Sequence, residues 1–199
     1  MGYGRIVRKL KDLLMKQIFL LIAFLICTTS ILQAQERYST KTGIITFEAS
    51  VPSFEEVKAT NAQVSALLNT TSGDIAVLAL LKGFRFKVAL MEEHFNENYI
   101  ESSKYPKATF KGTIEDFIAS KLSEEEKKYN LKGTLSLHGE SKIIDTSVRI
   151  SQTDEGITMQ LNFDLKPKEF NINIPNLVSS KIAEIVSVSA VLLLQQNNK

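Results

Sequence analysis

Apolar and polar residues alternate with a period of two along most of the chain beyond residue 44. Ile45 and Phe47 alternate with Thr46 and Glu48, and Phe84, Phe86 and Val88 with Arg85 and Lys87. Ala108, Phe110, Gly112 and Ile114 are interleaved with Lys107, Thr109, Lys111 and Thr113. The same pattern returns at Leu131 to His138, at Ser147 to Ile150 and, beyond the Asp154-Glu155-Gly156 turn, at Met159 to Lys166. Successive side chains of a strand point to opposite faces, so each run predicts a strand with one apolar face. Two runs depart from alternation. Ile75 to Leu81, after the turn signal Ser72-Gly73-Asp74, is apolar on both faces and predicts a strand covered on both sides. Ile182 to Leu194 is long and valine-rich, as a closing strand would be. About eight strands joined by short turns predict an all-β chain with short helices, folded as an antiparallel eight-stranded barrel. Closure removes exposed strand edges.

Helical signals are few. Val88, Met91 and Phe95 fall at i, i+3 and i+7 and share one face of a helix predicted over Val88 to Tyr99. That segment breaks at Tyr105-Pro106, because proline drives the preceding residue out of the helical region. Shorter helical pieces are expected at Ser123 to Lys128 and near Lys168 to Ser180. A short helix feeding an antiparallel strand is how a barrel acquires a lid or a plug.

The first 34 residues read differently. Arg5, Arg8, Lys9, Lys11 and Lys16 precede the unbroken apolar run Ile18 to Cys27, and small and polar residues follow as far as Ala34. A basic start, an apolar stretch of about ten residues and a small residue at the cut describe a secretory signal peptide. The run is too short to span roughly 30 Å of hydrocarbon as a helix. Residues 1–34 are therefore expected to be a signal, with Met15 as an alternative start, and 35–199 to form one domain. Export predicts a periplasmic or secreted protein with no stable membrane span in the mature chain. Lipidation of Cys27 is disfavoured by the bulky Leu25-Ile26 before it. If Cys27 leaves with the signal, disulfides and thiolate chemistry leave too. The full chain has a formal charge of +2, but residues 1–34 hold five basic groups and one acidic group. The remainder carries 19 basic and 21 acidic residues, a net −2 that leaves no basic field for nucleic acid.

Catalytic constellations are weakly supported. His94 lies beside Glu93 and Glu97, yet no HExxH or comparable ligand spacing accompanies it. A solvated acidic helix face accounts for the same residues, so neither a metal nor another cofactor is expected. His138 falls on the polar face of its strand before Gly139, where a turn or surface role is the default. The carboxylates at Glu92, Glu93, Glu97, Glu101 and Glu124 to Glu126 lie in polar runs, and charge runs are usually solvated faces. No serine lies in GxSxG or SxxK, so a non-enzymatic role is expected. The aromatic inventory points to binding. Phenylalanine is frequent and tryptophan absent, and inward-facing Phe and Leu either fill a barrel or line an apolar cavity within it.

Two blocks resemble the YceI-like family of exported, lipocalin-like barrels. Lys104-Tyr105-Pro106-Lys107-Ala108-Thr109-Phe110-Lys111 is similar to the family's aromatic-proline run opening a strand. Gly133-Thr134-Leu135-Ser136-Leu137-His138-Gly139-Glu140-Ser141-Lys142 is similar to its strand-turn motif. Three features depart from the usual pattern. The first strand has Tyr38-Ser39-Thr40-Lys41-Thr42-Gly43 in place of an aspartate and a His-Ser pair, Ser141 replaces a threonine, and residues 94–98 are more polar. The resemblance implies a lipocalin-like barrel and a ligand that is a polyisoprenoid, an isoprenoid quinone or a fatty amide.

Together these features predict an exported protein that carries or sequesters a long-chain apolar lipid or isoprenoid. Candidate ligand-binding residues are Phe86, Leu90, Phe95, Tyr99, Phe110, Leu135, Leu137, Phe163 and Phe170. Two rival functions remain at this stage. One is an envelope stress or interaction protein with a filled barrel acting through its surface. The other is an enzyme on a lipid-like substrate.

Overall fold

The computed structural model describes residues 37–197, together with a helical turn over 14–17 in a separate unit ending at Gln35. The expected signal peptide otherwise lies outside the described residues. In chain order the elements are β1 (Arg37–Glu48), β2 (Lys58–Asn69), β3 (Asp74–Leu80), β4 (Arg85–Phe86) and α1 (Ala89–His94). They continue with β5 (Lys107–Ile114), β6 (Lys127–Leu137), β7 (Glu140–Thr153), β8 (Gly156–Leu165), α2 (Asn176–Ser179) and β9 (Val186–Gln196). All strand pairings are antiparallel, in the order β1-β9-β8-β7-β6-β5-β3-β2, and β2 pairs back to β1. Eight long strands therefore close a ring. The two-residue β4 continues β3's place beside β2 after a 3-10 turn at Leu81–Gly83.

Turn chemistry fixes several corners. His138 and Gly139 join β6 to β7 with Leu137 opposite Glu140, and both have positive φ (52° and 83°). That is the two-residue turn whose twist matches a hairpin. At the β2–β3 corner Asp74 accepts hydrogen bonds from Ser72 Oγ (2.7 Å) and Thr113 Oγ1 (2.8 Å). These hold its carboxyl below the ordinary carboxylate value, Ser72 contributing most and Thr113 next.

The barrel interior is divided in two. Its lower end holds the start of β1 and the end of β2, and is packed with Leu68, Ile114, Leu131, Ile150, Ile157, Met159, Leu192 and Leu194. Phe110 lies along this inner wall. A Cβ on Gly112 or Gly133, which pair directly, would come within 2.7 or 2.5 Å of its Cζ. The missing side chains of those glycines make the space that the ring occupies.

Several expected elements differ. No strand was expected over 58–69, yet β2 closes the ring. Its phase is broken where β1 and β2 shift register on both sides of Gly43, and its buried positions include Ala59, Asn61 and Ala66. The strand expected over Phe84 to Val88 is only β4, because α1 begins at Ala89. β3 is covered on one face alone, with Leu80 57% exposed, because among the described residues no element packs outside the ring there. Ser123 to Lys128 is a loop running into β6, whereas the helical segment expected near Lys168 to Ser180 is present as the 3-10 turn Pro167–Phe170 and α2.

Candidate functional site

The upper end of the barrel is hollow. Its mouth lies where β1, β3, β6 and β8 end, and a cavity of about 450 Å³ opens there. Ile45 and Phe47 of β1, Leu135 and Leu137 of β6, Phe163 and Leu165 of β8, and Val186 and Val188 of β9 form its walls. Ala79 and Ala108 line it from β3 and β5 and are directly paired. Two methyl groups there leave unfilled the space that larger side chains would occupy.

A lid covers one side. Met91, Phe95 and Tyr99 of α1 and the following π-helical turn (Phe95–Tyr99) are spaced by four and all line the cavity. Phe47 gathers Phe84, Phe86 and Phe95 around it at ring-centroid distances of 5.3, 5.7 and 5.4 Å. Such tilted and edge-on contacts suit aromatic quadrupoles. The lid is tethered at its start by Glu92, which accepts from Arg85 Nη1 (2.8 Å) and the Phe86 backbone N–H (3.1 Å). The segment 172–182 contributes Ile172, Ile174, Val178 and Ile182. Polar groups on the cavity are few. Glu55, His94 and Lys181 are exposed at the rim, and Tyr99 is half-buried.

A polar latch sits beside the site. His138 is 8% exposed, with Nδ1 2.9 Å from the Phe170 carbonyl oxygen and Nε2 2.9 Å from Glu101 Oε2. A carbonyl only accepts, so Nδ1–H is the donor to Phe170. The imidazole thus joins the β6–β7 turn to the lid's C-terminal side and to the 3-10 turn. Tyr105 packs against it at 4.3 Å between ring centroids. Beside Tyr105, Lys104 is held above its usual value first by hydrogen bonding to Tyr105 and then by the Glu101 charge. His138 therefore keeps the turn role expected of it, but the expected surface role is corrected by its burial.

Of the nine candidate ligand-binding residues, Phe86, Phe95, Tyr99, Leu135, Leu137 and Phe163 line the cavity. Three do not. Leu90 is 56% exposed, because it sits one residue, about 100° of helix, from the cavity-facing Met91. Phe110 is taken up by the glycine pair below the cavity. Phe170 is 1% exposed in its own 3-10 turn, with its carbonyl held by His138. Phe47 and the 172–182 segment are lining residues that the candidates omit. Their signals were present: Phe47 shares the inward phase of Ile45, and Ile172 and Ile174 alternate with Asn171 and Asn173. Among the described residues no cluster of His, Cys, Asp and Glu is arranged to hold a metal, and no helix is long and apolar enough to cross a membrane.

The architecture recurs in solved structures. A polyisoprenoid binding domain from Saccharophagus degradans, implicated in plant cell wall breakdown, superposes with a TM-score of 0.70 at 19% identity over 80% of this chain and 98% of its own. BcnA of Burkholderia cenocepacia gives 0.62 at 17% identity over 76% and 94%. The YCEI protein of Campylobacter jejuni gives 0.59 at 18% identity over 75% and 90%. At such identities the likeness shows the shared fold. No individually curated protein matches the chain significantly. The YceI-like domain profile matches residues 30–193, a span that takes in β1 to β8 and most of β9, and the chain belongs to the YceI-like domain family.

Proposed function

We propose that this is an exported, periplasmic or secreted, binding protein that holds a long apolar molecule in the upper half of its barrel for carriage or sequestration. The ligand class is a polyisoprenoid, an isoprenoid quinone or a fatty amide. The observation that carries this reading is the lined cavity of about 450 Å³, apolar on its walls and polar only at its rim. Its size is that of ordinary small-molecule sites. Burying a methylene is worth about 0.8 kcal/mol, so a hydrocarbon chain binds there without a set of specific hydrogen bonds. The polyisoprenoid-binding relative and family membership support the same class. Against a surface-only role stands the volume itself, since a filled barrel has no use for paired alanines in its upper wall.

Native mass spectrometry of the protein purified from its own cell envelope, followed by organic extraction, tests the proposal. A stoichiometric long-chain lipid is the expected result. A clean apo mass, unchanged after prenyl lipids are offered, would overturn it.

A further inference from the structure

Resting on the carrier reading, we infer that the site takes one single-chain amphiphile and buries about fifteen of its carbons, any longer chain leaving its excess outside. The cavity of about 450 Å³ ends within the barrel. Below it the interior is occupied by the packed cluster that includes Leu68, Ile114 and Leu131, with Phe110 seated on Gly112 and Gly133. A methylene occupies roughly the volume of a water molecule in the liquid, about 30 Å³, so the cavity has room for about fifteen chain atoms. That is three prenyl units or one medium-length acyl chain. Two chains side by side would each be cut to half that length.

The orientation follows from polarity. Glu55, His94 and Lys181 stand at the exposed rim, while Leu135 lies deepest, paired with Phe110, and the paired Ala79 and Ala108 are apolar wall positions one step above it. A polar head buried at depth would lose its water without gaining partners. The chain therefore enters tail first and the head stays at the rim.

A ladder of primary fatty amides from 8 to 24 carbons, uncharged so that length alone varies, is titrated against a fluorescent naphthalene probe bound to the full mature protein. Affinity is expected to rise about fourfold per methylene until about fifteen carbons are buried, and then to level off. Ala108→Leu adds three carbons of bulk to the wall and should bring the break about three carbons earlier. Leu135→Ala removes three and should move it later, which keeps the test intact if one variant folds poorly. Affinity still climbing fourfold per methylene beyond 20 carbons would overturn the length limit while leaving the carrier reading in place. Failure of every amide, whatever its length, to displace the probe would overturn the carrier reading itself.

Discussion

Replacing Phe110 by alanine should cost the barrel about 3 kcal/mol, more than the same change at Phe163 on the cavity wall. Phe-to-Ala changes in packed cores cost about 3–5 kcal/mol, through lost transfer energy and the void left behind. Phe110 is half-buried, which argues for the lower end of that range. The void does not close readily, because beneath the ring lie Gly112 and Gly133, which have no side chains to move into it. With a urea slope of about 2 kcal/mol/M, the midpoint should fall by about 1.5 M. The assay is equilibrium urea unfolding followed by circular dichroism, with Phe163→Ala as the companion, since Phe163 already borders empty space. Gly133→Ala completes a double-mutant cycle. Its Cβ would lie 2.5 Å from Phe110 Cζ, from Gly112 Cα and from the Lys111 carbonyl oxygen. Removing the ring relieves only the first of these clashes, so the alanine should remain destabilising in the Phe110→Ala background but by less. A midpoint shift under about 0.5 M for Phe110→Ala, or strict additivity in the cycle, would refute the idea that ring and glycines form one packing unit.

Three other outcomes are expected. Phe163→Asp should abolish binding of an apolar probe while the domain still melts cooperatively, whereas Phe110→Asp should fail to fold; equal melting behaviour in the two would contradict the division into hollow and filled halves. His138→Asn, which tolerates the positive φ but is too short to reach both partners, should cost about 1–3 kcal/mol by orphaning the buried Phe170 carbonyl. Amide hydrogen exchange should then quicken at residues 95–101, and unchanged exchange there would argue against a latch. Asp74 has a depressed folded-state value, so its contribution to stability is present above the ordinary carboxylate range and is lost as pH falls through that lowered value. The melting-temperature gap between wild type and Asp74→Asn should therefore narrow below about pH 4; a gap constant from pH 7 to pH 2 would count against this account.

What the sequence made legible follows from period two. β5, β6 and β8 keep strict alternation over eight or more residues, and their inward faces read correctly. β2 was illegible because register shifts beside Gly43 put its inward positions out of phase. The side chains at those positions are also small or polar, and buried Asn61 is satisfied by donating to the Leu80 carbonyl at 2.9 Å. β3 misled in the opposite direction, since Leu78 and Leu80 suggest a covering layer that no described element supplies. The same limits apply to the site. Inward phase identified Leu135, Leu137 and Phe163, but not where along the barrel the packing stops. That boundary depends on the glycine pair and Phe110 meeting across two strands, a coincidence in space rather than along the chain. His138 was ambiguous for a related reason: its partners Glu101 and Phe170 are 37 and 32 positions away.

The seam between the first and last strands bears on how the molecule comes into being. β1 pairs with β9 along most of its length, and Ser39 donates a hydrogen bond to Asn197, 158 positions downstream. Synthesis at about 5–20 residues per second leaves roughly 8–30 s between the appearance of those two residues. Through that interval β1 lacks one neighbour and β8 lacks another, and no arrangement of the nascent chain can complete the ring. The ring is therefore completed only once β9 has been made, with its slowest contacts coming last. Until β9 arrives, two unpaired edges invite pairing with other chains.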